Sequence, residues 1–238
     1  MMKVTVCIPT HNDHQTLGRA IHSIVNQTKF SQVAEIIVVD DGGPNPEAVY
    51  EVIEMATIML GSKLKHVRIT NRGLPGARNT ALMLAKGEAF LPLDADDWIE
   101  PTYLEKTLPF LADADVVLTG LQEHGEFRNG CYMPGFDRPF YQVNEEILWQ
   151  YNRFFYCSLF RTSTLRNVGG YNTKMAGGFG VAGGYEDWDL WIDLKKRNAR
   201  FAAVNEPLLN YTTKQESMLV AAERNRDVLV AEMRRHHT

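Results

Sequence analysis

Asp94-Ala95-Asp96-Asp97 crowds three carboxylates into four positions, directly after the apolar run Ala89 to Leu93. Like charges that close repel unless a cation or hydrogen-bond donors sit among them. A divalent metal meets that need, because Mg²⁺ and Mn²⁺ prefer carboxylate oxygens and usually take one or two protein ligands, with water and substrate phosphates completing the shell. Asp94 and Asp96 are therefore candidate ligands for Mn²⁺ or Mg²⁺. In the blander alternative Asp97 caps the following helix and the other two are solvated. Asp40-Asp41-Gly42-Gly43 closes another apolar run, and Glu186-Asp187 opens a stretch with helical periodicity. Acidic residues there also simply favour the helix dipole.

These groups need a scaffold. Val4 to Pro9 reads as a buried strand ending in the polar Thr10-His11-Asn12-Asp13. Leu17, Ala20, Ile21, Ile24 and Val25 then share a helical face, with Asp13 or Asn12 as N-cap. Ile36 to Val39 is unbroken and β-branched, as in a parallel strand covered on both faces. A helix from Pro46 to Leu60, a strand from His66 to Thr70, a helix from Ala77 to Lys86 and a strand from Ala89 to Leu93 follow. Alternation of this kind predicts an α/β fold, Rossmann-like, with a mostly parallel sheet flanked by helices. Ligands bind such sheets beyond the carboxyl ends of the strands, so Thr10 to Asn12, Asp40 to Asp41 and Asp94 to Asp96 should share one crevice.

Beyond Trp98 the pattern predicts a helix from Pro101 to Leu111, a strand from Val116 to Thr119, and a tight hairpin at Arg128-Asn129-Gly130-Cys131. Glu145 to Tyr151 reads as a helix and Phe154 to Phe160 as an aromatic strand belonging to the core rather than a sugar platform. A short helix at Thr162 to Asn167, a glycine-rich stretch at 177–184 and a closing helix from Glu216 to Arg235 complete the chain.

With 238 residues, 45% apolar, the chain can bury a large core. A net charge of −4 argues against nucleic acid as a partner. Cys7, Cys131 and Cys157 fit neither a disulfide framework nor a metal motif, which suits a reducing cytoplasm. No signal segment and no run near the roughly 18 apolar residues of a membrane span is present, so a soluble protein without a transmembrane segment is expected.

Five ordered stretches, Val6 to Asn12, Ile36 to Gly42, Asn71 to Asn79, Leu93 to Asp97 and Tyr185 to Trp191, resemble family 2 glycosyltransferases of the GT-A fold. The resemblance implies a GT-A domain over 1–213, its nucleotide-sugar half at 1–120 and its acceptor-side half at 121–213, with a C-terminal helix at 214–238. It implies metal-dependent, inverting transfer from a nucleotide diphosphate donor, UDP first, to a hydroxyl of a glycan or glycoconjugate acceptor. Carried over, it puts Pro9, Thr10, His11, Asn12, Asp40 and Asp41 around the nucleotide, where many relatives have Tyr at the His11 position. Gly73 to Arg78 resembles the segment that closes over the donor, leaving Arg78 as a phosphate partner or an ion pair with Asp94 or Asp96. Asp94 and the adjoining Ala95 would face the ribose or sugar, Asp96 the metal. Asp187 would be the general base, and Glu186 would orient the acceptor or the base.

A nucleotidyltransferase would need a glycine-rich basic loop after the first strand, and Pro9-Thr10-His11-Asn12 is not one. A catalytically silent nucleotide-sugar-binding domain is the other alternative.

Overall fold

The computed structural model describes residues 1–125, 129–135, 138–177, 183–215 and 217–238. Its first half alternates strands and helices in the order β1 (Val4–Thr10), α1 (His14–Val25), β2 (Val33–Asp40), α2 (Pro46–Leu60), β3 (Leu64–Arg68), α3 (Gly73–Leu84) and β4 (Ala89–Pro92). Then come β5 (Trp98–Ile99), α4 (Tyr103–Thr107), β6 (Val116–His124), β7 (Cys131–Tyr132), α5 (Glu145–Leu148), β8 (Leu159–Arg161), α6 (Thr162–Asn167), α7 (Glu186–Lys196), β9 (Phe201–Thr212), α8 (Met218–Arg224) and α9 (Arg226–His236).

The sheet runs β3-β2-β1-β4-β8-β6-β9-β5, with β7 added beside β6. The first four of these strands are parallel and β6 runs parallel to β9, while β8, β5 and β7 enter antiparallel. The chain moves outward from β1 to β3 and then returns to the other side of β1 as β4. The order therefore reverses between β1 and β4, and a crevice opens at their carboxyl ends.

Both faces are covered, as the unbroken apolar runs require. Val4, Val6 and Ile8 pack with Leu17, Ile21 and Ile24 of α1, whereas Cys7, Ile37 and Val39 pack with Ala77 and Ala81 of α3 and with Trp191 and Leu194 of α7. Of the three free cysteines, Cys7 and Cys157 are buried and Cys131 is exposed.

Several boundaries differ from the sequence pattern for identifiable reasons. Helix α3 begins at Gly73 because Pro75 sits in its first turn, where a missing N–H costs nothing. Pro109 instead ends the predicted helix at α4, and Leu108–Ala112 continues as a 3₁₀ turn. The aromatic strand shortens to β8, yet its core assignment holds, with Phe160 stacked on Trp191 at 5.4 Å. The hairpin exists, but the Glu123 amide bonds the Gly130 carbonyl at 2.8 Å, so Asn129-Gly130 lies at the ladder's end rather than forming a two-residue tip. Arg128 and residues 178–182 of the glycine-rich stretch lie outside the described residues. The closing helix is two helices, broken at Asn225.

Strand β9 is not announced by the sequence, because Asn205-Glu206-Pro207 interrupts its apolar pattern. The structure absorbs Pro207 in a bulge opposite Gly120, where the register shifts twice. A Cβ on Gly120 would lie 2.6 Å from the Tyr132 carbonyl oxygen, so the bulge closes only over glycine.

Candidate active site

In-register pairing gathers the polar strand ends: Thr10 opposes Asp40, Cys7 opposes Pro92, and the Asp41 amide bonds the Thr10 carbonyl at 2.8 Å. His11 Nδ1 donates to the Asp41 carbonyl at 3.0 Å, which fixes the ring's orientation. Gly43 makes this turn possible, since a Cβ there would overlap the His11 carbonyl oxygen at 1.5 Å. The Asp41 carboxylate is buried and accepts from the Arg72 amide at 2.7 Å; burial outweighs that bond and raises its pKa. Asp40 does not share the crevice. It is fully buried, ion-paired with Arg68 and capping the Gly43 amide at 3.0 Å, so it braces the turn from beneath. Asn12 also faces elsewhere, its Oδ1 accepting from Asn45 Nδ2 at 2.9 Å.

Arg78, 1% exposed, meets two carboxylates in the structure. Its guanidinium donates to Asp94 Oδ1 at 2.8 Å and to Glu186 Oε1 at 2.6 Å, beside the rings of Tyr156 and Tyr171. Asp96 is not its partner. Burial pushes Asp94 up to about 6; Arg78 pulls against this while the charge of Asp96 adds to it. Gly73 opens α3 at φ 69°, and a Cβ there would meet Ala176 at 2.6 Å, so the start of α3 and the 3₁₀ turn Thr173–Ala176 need a glycine to touch.

Asp96 meets Lys214, whose ammonium lies 2.7 Å from Asp96 Oδ2 and 3.5 Å from Asp13 Oδ1. Burial works against the charge of Lys214, but the two carboxylates outweigh it and hold its pKa above the ordinary lysine value. The protein thus places a cation where Asp96 demands one, and the hard oxygen set of Asp94 and Asp96 fits Mg²⁺ or Mn²⁺ completed by water and phosphate. Asp13 stands at the N-cap position of α1, but its side chain makes no cap bond and turns to Lys214.

Asp97 is not a helix cap. It is fully buried, accepting from Tyr156 Oη at 2.6 Å and from the Thr212 amide at 2.7 Å. Burial, reinforced by Asp96 and Asp94, raises its pKa well above the carboxylate range. The Tyr156 hydroxyl also accepts from the Asp94 amide at 3.1 Å, so one phenol fixes both ends of the acidic turn. Tyr156→Phe is expected to cost about 1–3 kcal/mol by stranding a buried acceptor. Chemical denaturation measures it; parental stability would show that the Thr212 amide alone satisfies Asp97.

Across the cavity, α7 starts after Tyr185, whose left-handed backbone (φ 64°) turns the helix's first carboxylates inward. Asp187 Oδ2 accepts from Asn152 Nδ2 at 3.1 Å and Oδ1 from the Trp188 amide at 2.7 Å. Burial raises Asp187 to about 7, the neighbouring Glu186 adds to the rise, and Arg78 opposes it. Glu186 is buried and spent on Arg78, so it reaches the other carboxylates only through that guanidinium.

Pro9, Thr10, His11, Asp41, Gly73, Arg78, Asp94, Ala95, Asp96, Glu186 and Asp187 all line one cavity of about 870 Å³. Asp40 and Asn12 do not. The sequence pattern missed Asn152, Tyr156, Thr212 and Lys214, which also line it. Thr212 and Lys214 follow from β9 and were hidden with it; the polar Asn152 and Tyr156 lie in irregular chain that periodicity cannot orient.

Residues 5–169 match the family described as Glycosyl transferase family 2. The chain belongs to that family. This family 2 member is 33% identical over 129 residues to an uncharacterized glycosyltransferase of Nostoc sp., covering 54% of this chain and 38% of that one. It is 32% identical over 121 residues to the poly(ribitol-phosphate) beta-N-acetylglucosaminyltransferase TarS of Staphylococcus aureus, covering 50% of this chain and 21% of TarS. The matches thus span well under half of these relatives. Among solved structures, TarS 1-349 in complex with UDP-GlcNAc aligns at TM-score 0.71 and 22% identity, over 98% of this chain and 66% of that one. Mannosyltransferase PcManGT of Pyrobaculum calidifontis, in complex with GDP-Man and Mn²⁺, aligns at TM-score 0.68 and 21% identity, over 94% and 61%. These likenesses show that the family 2 chain has the GT-A fold.

Proposed function

We propose that this chain is a metal-dependent, inverting glycosyltransferase that moves a sugar from a nucleotide diphosphate donor to an acceptor hydroxyl of a glycan or glycoconjugate. The observation that carries this reading is convergence: Asp94 and Asp96 beyond β4 and Asp187 at the start of α7 face the same cavity, and Arg78 bonds both walls. Pro9, His11 and Asp41 would receive the nucleotide. With Nδ1 committed to the Asp41 carbonyl, the imidazole of His11 keeps its face for the base.

Asp187 would take the acceptor proton as the acceptor oxygen attacks the anomeric carbon. Asn152 and the Trp188 amide hold its carboxylate for that task. Asp96, with the second oxygen of Asp94, would hold Mn²⁺ or Mg²⁺, which when bound would neutralise charge developing on the leaving diphosphate. UDP is the first donor to test, because the TarS structures are in complex with UDP-GlcNAc and UDP; GDP follows from the mannosyltransferase. Relatives named as poly(ribitol-phosphate) transferases favour a role in polysaccharide assembly. Free cysteines suit a cytoplasmic setting, and among the described residues no helix is long and apolar enough to cross a membrane.

The test is thermal unfolding against a panel of nucleoside diphosphates with and without Mn²⁺. A nucleotide at 100 times its Kd adds about 2.7 kcal/mol, or roughly 5–11 °C for a domain of this size. Asp96→Asn should erase the Mn²⁺-dependent part of that rise. A flat panel would remove the donor site, and donor cleavage or transfer by the purified protein separates catalysis from binding alone.

Lys214 and the metal would compete for Asp96. Lys214→Met should therefore tighten apparent Mn²⁺ activation by about fivefold, the worth of a partly exposed ion pair, while donor KM rises as a phosphate-facing cation is lost. An unchanged Mn²⁺ titration would show that the two do not share the carboxylate.

A further inference from the structure

Away from the cavity, the inner part of α7 meets the end of α9. Asp189, its side chain 2% exposed, has Oδ2 at 2.9 Å from His236 Nδ1 and Oδ1 at 3.1 Å from His237 Nε2. All three donors lie within 4.8 Å of one another. The His236 contact contains a conflict. Asn172 Nδ2 also reaches His236 Nδ1, at 2.9 Å, and the orientation of that amide is set because Asn172 Oδ1 caps the Lys174 amide at 3.1 Å. One ring nitrogen is thus offered a donor and an acceptor together. Protonated, it serves Asp189 and opposes Asn172; bare, it accepts from Asn172 and sets its lone pair against the carboxylate.

A cation that takes the Nδ1 lone pair and the carboxylate oxygens together removes the conflict and leaves Asn172 free to donate to Asp189 or water. Two imidazoles and a carboxylate suit a borderline divalent ion, Zn²⁺ above all. At bonds of about 2.0–2.1 Å, tetrahedral donors stand about 3.4 Å apart. The separations of 2.9 and 3.1 Å, one to each carboxylate oxygen, need a few tenths of an ångström of opening, while the remaining donor separations, within 4.8 Å, close on the ion. His236, 41% exposed, leaves a side open to solvent for a fourth ligand and for loading.

We propose that Asp189, His236 and His237 form a Zn²⁺ site, separate from the Asp94–Asp96 pair, that clamps α9 onto α7. The clamp lies behind the helix whose first turn carries Glu186 and Asp187. It also anchors the C-terminal segment that supplies Met218, Leu219, Glu223 and Arg226 to the cavity wall.

The test uses the full chain without an added histidine tag, in an Asp96→Asn background that breaks the donor-side pair of carboxylates. One Co²⁺ per chain is expected, with the visible ligand-field absorption of a four-coordinate nitrogen and oxygen set, displaced by Zn²⁺. Zn²⁺ should raise the melting temperature. His237→Gln and the surface-facing His236→Ala should each weaken Co²⁺ binding by more than about 100-fold and abolish that rise. Absence of stoichiometric Co²⁺ binding overturns the site, as does binding that persists in both variants; either result would leave the imidazoles as hydrogen-bond partners of Asp189 only. Because the donor site is already disabled, neither outcome bears on the transferase reading.

Discussion

Asp187→Asn is expected to lower sugar transfer by about 10²–10⁴-fold, the usual worth of a positioned base, while nucleotide affinity stays unchanged. The cause is local: the amide keeps the Asn152 contact but cannot accept a proton. If Asp187 is the base, kcat of the parent should climb as pH rises toward about 7 and level off above it, since a carboxylate base works only when ionised and burial has moved this pKa there. Stability runs the other way. The folded chain still holds the Asp187 proton at pH values where the unfolded chain, with the ordinary value of 3.8, has released it, so this group's contribution falls as pH rises from about 4 to about 7. The variant removes that loss and should melt no lower than the parent at pH 8. A loss of nucleotide affinity matching the loss of transfer would make Asp187 a binding residue instead.

The largest effect on the fold should come from Arg78→Met. It strips the shared counter-charge from Asp94 and Glu186, whose side chains are only 22% and 7% exposed. Breaking a buried pair costs about 3–5 kcal/mol, or roughly 6–20 °C in melting temperature at this size. Arg78→Lys should rescue little, since one compact ammonium cannot bond two carboxylates as a planar fork does. The deficit should be smaller at pH 5 than at pH 8. Asp94, already pushed up to about 6 by burial, loses in Arg78 the charge that holds its pKa down, so it rises further above its unfolded value; stability is kept where it is protonated and lost as pH climbs through the raised value. Adding Glu186→Gln to Arg78→Met should recover part of the loss in a double-mutant cycle. A pH-independent deficit would point to lost packing rather than unpaired charge.

The parallel half of the fold was legible because local and tertiary signals agree there. Ile36 to Val39 is apolar throughout and is covered on both faces; the acidic turns stand at strand ends in register. Legibility fell where a neighbour decides a residue's fate. Asp40 and Asp41 are adjacent and chemically alike, yet Arg68 claims the first and the crevice receives the second. Arg78 and Glu186 are 108 positions apart, and nothing in either stretch alone announces their bond. Lys214 follows a strand whose Pro207 argues against a strand at all, until Gly120 opposite supplies the room.

That bulge has a consequence beyond its own geometry. Between Thr119 and Leu121 one strand advances two residues while its partner goes from Val204 to Leu209, five residues, an odd surplus that inverts the in-and-out parity of everything downstream. Tyr211, Thr212 and Lys214 hold their stations through a frameshift in space set near Pro207, so a single-residue deletion there would re-address the acidic turn's partners without altering any of them.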